Sequence, residues 1–120
     1  MKVYGEESVL VITPDSVVQA AEVLTSTQWE ELRTSARFVA AWNSGLPGRP
    51  IPVFLEDTGL EHRQLIGLIL LIDVARQQSK VALVRDAVRY LHQPTNELFT
   101  LLSRDCRIWV VPPVKEAVIQ

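Results

Sequence analysis

The stretch "LIGLILLIDVA" at residues 65–75 constrains this chain more than any other, because a segment that apolar has to be covered by something. Its uninterrupted part is eight residues, Leu65 to Ile72, closed by Asp73. Spanning a bilayer takes about 20 apolar residues, so the run is too short to cross a membrane. The sequence around it predicts a helix over 60–78. On a helical wheel only a narrow polar edge remains, made by His62, Asp73 and Gln77 with Ile66 among them, and every other direction is apolar. Such a helix needs neighbours on two sides. One is expected to be a sheet, the other the segment that follows or the same helix of a second copy, with Gly67 permitting close approach. The residues expected at that subunit contact are Leu65, Gly67, Leu68, Leu70, Leu71 and Val74.

The 120 residues match one domain over 1–120, with 115–120 as a mobile tail, and are enough to bury a core without disulfide or metal staples. Hydrophobic residues make up 48% of the chain and charged ones 22%, too apolar for disorder and rich for a small monomer, which again points to an oligomer interface. Cys106 is the single cysteine, so no internal disulfide can form. The start "MKVYGEESVL" carries acids where a secretion signal needs a basic head, and the expected compartment is the cytoplasm. The net charge of −2 conceals a split: residues 1–62 hold four bases and nine acids, residues 63–120 eight bases and five acids. Opposite halves of this kind neutralise each other within a fold or across a dimer, or present an anion-binding face.

"SVLVIT" (8–13) reads as a strand apolar on both faces, ended by Pro14. A short helix follows, with Thr13 as cap, Pro14 at the first position and Asp15 favourably placed against the helix dipole. "TSTQWEELRTSARFVAAWNSG" predicts one long helix, capped by Thr25 with Gln28 or Thr27 with Glu30 and stopped at Gly45. Its inner stripe is Trp29, Leu32, Ala36, Val39 and one of Trp42 or Phe38. "IPVFLE" (51–56) is expected to be a second strand, and Thr58 with Glu61 a capping box for the apolar helix. "SKVALVRDAVRYLHQP" has helical periodicity, "TNELFTLLSRD" reads as a short helix, and "RIWVV" (107–111) as a third strand stopped by two prolines. The fold expected is α+β, with α/β as the alternative: a small three-stranded sheet of buried strands covered by four to five helices.

The search for chemistry returns few signals. No phosphate-binding glycine loop, nucleophile turn or metalloprotease helix motif is present, and one cysteine cannot build a thiolate zinc site, so no cofactor is expected. His62 and His92 lie 30 residues apart and read as surface histidines. Cys106 lies between Arg104 and Arg107, which would favour a thiolate, but a cysteine entering an apolar strand reads better as a packing group. Asp15, Glu56 and Asp57 would meet at the C-terminal ends of the first two strands if those strands were parallel neighbours, and could then hold Mg²⁺ for a hydrolase. The basic half offers Arg85, Arg89 and His92 as a helical stripe, with Arg104 and Arg107 bracketing the last strand, for an anion or nucleic acid in a winged-helix-like arrangement. The leading expectation is a small non-enzymatic interaction protein that forms homodimers and binds another macromolecule, with no membrane association; nucleic-acid binding and Mg²⁺-dependent hydrolysis are the alternatives.

Overall fold

The computed structural model describes residues 9–86 and 96–111. Its elements, in chain order, are β1 (Val9–Ile12), α1 (Pro14–Glu22), α2 (Ser26–Arg33), α3 (Ala36–Gly45), a single 3-10 turn (Leu55–Asp57), α4 (Leu60–Gln77), β2 (Val81–Arg85), α5 (Asn96–Leu102) and β3 (Ile108–Val111). The three strands form one sheet in the order β1-β2-β3, with both neighbouring pairs parallel. The α+β or small α/β class and the three-stranded sheet follow the sequence expectation, but the middle strand is a different segment.

That segment is "VALVR". Its helical periodicity gave way to a strand because α4 ends in a way that forces a change of direction. Ser79 takes φ 58°, and its N–H and that of Lys80 bond back to the Arg76 and Ala75 carbonyls at 3.1 and 2.8 Å. This closes the helix as a Schellman turn, with serine where glycine is usual. The chain then leaves as β2, burying Ala82 and Val84 on one face. Asp86 adopts φ 57° at the far end, so no helix runs through from Val81. Residues 87–94, the rest of the expected helix, lie outside the described residues, as does the expected tail at 115–120.

"IPVFLE" forms no strand. Pro50 and Pro52 stand two residues apart, so the donors missing from them would have faced the same strand edge. The carbonyls of this loop are instead taken by helix side chains: Arg33 Nε donates to the Pro52 carbonyl at 2.9 Å, Trp29 Nε1 to Val53 at 3.1 Å, and Trp42 Nε1 to Arg49 at 2.8 Å. The expected long helix is two helices. Ser35 turns extended, and its hydroxyl accepts from the Phe38 N–H at 3.4 Å, starting α3 afresh. The kink brings both Phe38 and Trp42 into the core while Ala36 stays exposed. Trp29 meets Phe38 edge-on at 5.8 Å between ring centroids.

The caps at Thr13 and at Thr25 with Gln28 form as expected. The one at Thr58 does not. Gly59 is the N-cap of α4, while the Thr58 hydroxyl donates to the Leu55 carbonyl at 2.6 Å and accepts from Arg63 Nε at 3.0 Å.

The core lies on one side of the sheet. Leu10, Ile12, Ala82, Val84 and Ile108 point into it, where they meet α1, α4 and α5 through Val17, Leu65, Leu68, Ile72, Leu98 and Leu102. α4 is wrapped by its own chain. Its intimate neighbour is α1: a Cβ at Gly67 would overlap the Val17 carbonyl. Its polar edge is used as well, since Asp73 accepts from Arg76 Nε at 3.0 Å and from Gln77 Nε2 at 2.7 Å. Arg37 on α3 lies 3.7 Å from the same carboxylate and makes a bidentate pair with Asp105 at 2.9 and 3.0 Å. Among the described residues no helix is long and apolar enough to cross a membrane.

Candidate functional site

The sheet has a second face. Side chains alternate along a strand, so the partners of the core-facing residues point away from the helices. The register places Val9 beside Val81, and Val11, Leu83 and Trp109 in one row across all three strands. Val111 and Arg85 pair at one end, and Arg107, one alternation before Trp109, stands at the other. Val11 is 46% and Trp109 53% exposed; Arg85 and Arg107 are also exposed, and the remaining valines and Leu83 are partly buried.

Connectivity explains why this face is bare among the described residues. Crossovers between parallel strands are right-handed, and when the strand order never reverses every connecting element falls on the same side. The helices between β1 and β2, and α5 between β2 and β3, accordingly share one core. Parallel sheets are ordinarily covered on both faces. The order β1-β2-β3 also contains no switch point of the kind at which open α/β sheets bind ligands.

At the N-terminal ends of the strands the apolar row opens into a hollow of about 620 Å³, lined by Val9, Val81 and Trp109 together with Arg76, Lys80, Arg107 and one acid, Asp105. Cys106 lines its floor but is nearly buried, with Sγ 3.9 Å from the Lys80 carbonyl. Burial pushes its thiol pKa up, and the nearby Asp105 carboxylate adds to the shift. The opposing pull of Arg37 and Arg76 is smaller, the sequence-flanking Arg104 and Arg107 are not among the causes, and Cys106 packs in the buried core cluster.

A second depression lies in the helical layer, about 490 Å³ in volume, between α2 and the 53–56 loop. Trp29, Leu24, Val53, Phe54 and Leu55 form its apolar wall, and Glu22, Glu30, Glu56 and Arg63 its charged rim. Phe54 is 61% and Val53 55% exposed.

The sequence-predicted sites are redistributed. Of the expected subunit contact, Leu65, Gly67 and Leu68 are buried inside this chain, and Leu70, Leu71 and Val74 are partly buried. The close approach at Gly67 is made by α1 rather than by a second copy. Asp15, Glu56 and Asp57 do not come together: no cluster of three potential ligands exists among the described residues, and the strand that would have aligned them is absent. Arg85 sits at the end of a strand, so the helical stripe it was to begin does not start there; Arg89 and His92 lie outside the described residues. Arg104 is exposed on a different surface, in a shallow depression with Ser44, Glu97 and Thr100. His62 packs its ring on Trp42 at 5.3 Å.

Sequence reasoning missed Trp109 and Leu83. The alternation in "VALVR" and "RIWVV" carried the signal, but it could be read only with β2 recognised as a strand. Comparison with protein families, with curated proteins and with solved structures finds no match.

Proposed function

We propose that this chain is a non-enzymatic interaction protein that binds another macromolecule through the uncovered face of its parallel sheet. One observation carries the reading: the apolar row Val11, Leu83 and Trp109, bounded by Arg85 and Arg107. Protein interfaces are built in this way, with an apolar centre, a polar rim, and tryptophan and arginine over-represented among the residues that dominate affinity. The expected self-association moves with it from α4, whose apolar perimeter is largely consumed within the chain, to the sheet. A photo-activatable benzophenone placed at Val11 tests this in native extract, with Glu31 on the exposed side of α2 as control. Adducts to a discrete macromolecule from position 11 and none from position 31 are expected. Equal labelling from both would remove the sheet face from consideration.

Nucleic-acid binding is the second reading, and it gains one specific support. Two of the arginines singled out in the sequence, Arg85 and Arg107, flank a half-exposed tryptophan on an open sheet, where bases can stack and phosphates pair. Against it stand the aliphatic residues that fill the rest of the face. Anisotropy with a fluorescent single strand at 50 mM salt should show binding that Trp109→Ala abolishes if this reading holds.

A further inference from the structure

Among the described residues, two exposed apolar surfaces carry rims of opposite charge. The sheet face presents Val11, Leu83 and Trp109 between Arg85 and Arg107. The helical-layer groove presents Phe54 and Val53 beneath Glu22, Glu30 and Glu56; Arg63 lies 3.8 Å from Glu22 and Arg33 3.7 Å from Glu30, so the rim is net acidic with Glu56 outside these pairs. They share no residue. The groove is also built from the layer that covers the other side of the sheet, so the two surfaces of one molecule cannot meet each other.

We propose that the sheet face of one copy docks in the acidic groove of a second copy, giving a head-to-tail assembly. This rests on the reading of the sheet face as a binding surface and names its occupant. Charge complementarity selects that occupant: the arginines bracketing Trp109 meet a rim that stays net acidic after its own ion pairs are counted, with Glu56 the first partner, whereas two sheet faces opposed to each other would bring four arginines together. It also gives the opposite charges of the chain's two halves a common purpose. A contact between unlike surfaces leaves one of each unsatisfied at the ends, so it propagates into chains or closes into rings rather than stopping at a two-fold dimer. A row of three apolar side chains against one groove makes a small contact, so the association is weak, concentration-dependent and reduced by salt.

Sedimentation velocity over a concentration series, at 50 and 500 mM salt, reads the assembly directly. The variants are Trp109→Ser on the sheet face and Phe54→Ser in the groove, both at exposed positions. Each variant alone is expected to lose at least tenfold in self-association, while an equimolar mixture forms a one-to-one complex, since the intact groove of the first accepts the intact face of the second. Salt should weaken the wild-type assembly. If Phe54→Ser still assembles alone while Trp109→Ser does not, the sheet faces pair with each other, which overturns the head-to-tail arrangement and leaves the binding face standing. Wild-type assembly by Trp109→Ser sinks both. A wild-type monomer at every concentration overturns the proposal, and acrylamide quenching of Trp109 then separates its causes: a shielded tryptophan in that monomer means the chain's own flanking segments cover the face, and an open one means that its partner is a different macromolecule.

Discussion

Gly67 carries the tightest constraint on a single residue. Helix α1 runs so close to α4 that any side chain at this position strikes backbone, which cannot swing away as a flexible side chain would. Gly67→Ala is therefore expected to destabilise the fold by roughly 2–4 kcal/mol, the upper range of overpacking costs, seen as a lower urea midpoint at an unchanged slope. Asp105 makes a different kind of contribution. The Arg37 guanidinium holds its carboxyl pKa below the ordinary 3.8. A depressed carboxyl pKa gives stability that is complete above the ordinary value and is lost as the pH falls through the folded one. The pair is half in solvent, at 47% exposure on the Asp105 side, which keeps its worth under about 1 kcal/mol. Urea titrations of wild type and Asp105→Asn should differ at pH 6 and converge below pH 3; a gap that persists in acid would mean that the asparagine disturbs packing instead. At Cys106 the buried, raised thiol predicts maleimide labelling at pH 7 that waits on unfolding, while a rate equal to that of a free thiol would contradict the packing role.

At the level of elements, helix ends were legible where the cap was local. The Thr13 and Thr25 caps hold in the structure because each bond joins residues only three apart, Thr13 to Ser16 and Thr25 to Gln28. The Thr58 cap failed because its hydroxyl had better partners in Leu55 and Arg63. The end of α4 was placed to within one residue, at 78 against Gln77, although serine occupies the left-handed position that glycine would have advertised. Ser79→Gly should relieve that conformation and raise stability by ~0.5–1 kcal/mol in thermal or urea unfolding. A loss would show that the Ser79 side chain contributes something the turn itself does not explain. The largest consequence in the chain came from the segment after this turn, where the apolar spacing was read as helical through 81–85 and hid the central strand. The second strand expected at 51–56 then filled the gap, although Pro52 within it and Pro50 just before it argued against it.

For the whole molecule, the sequence predicted that an apolar helix would need covering on two sides, and it has that cover: the sheet on one flank and α1 on another. The surplus of apolar surface appears elsewhere, on the far side of the sheet. Trp29 and Trp42 are buried, so the exposed part of the fluorescence belongs to Trp109. With Arg85 and Arg107 beside it, iodide should quench that emission more strongly than caesium does at equal ionic strength, and Trp109→Phe should remove most of the difference; equal quenching would deny the basic rim. What the sequence determined alone was whatever depends on near neighbours: a buried helix over 60–78, one residue longer than observed, the first two caps, the outer strands β1 and β3, and a sheet-and-helix class. The tertiary structure alone decided which segment lies between the outer strands, and with it which apolar face is spent on the core and which is left bare. Strand pairing joins Val11, Leu83 and Trp109 across nearly a hundred residues, and no periodicity within one segment records who sits beside whom in a sheet.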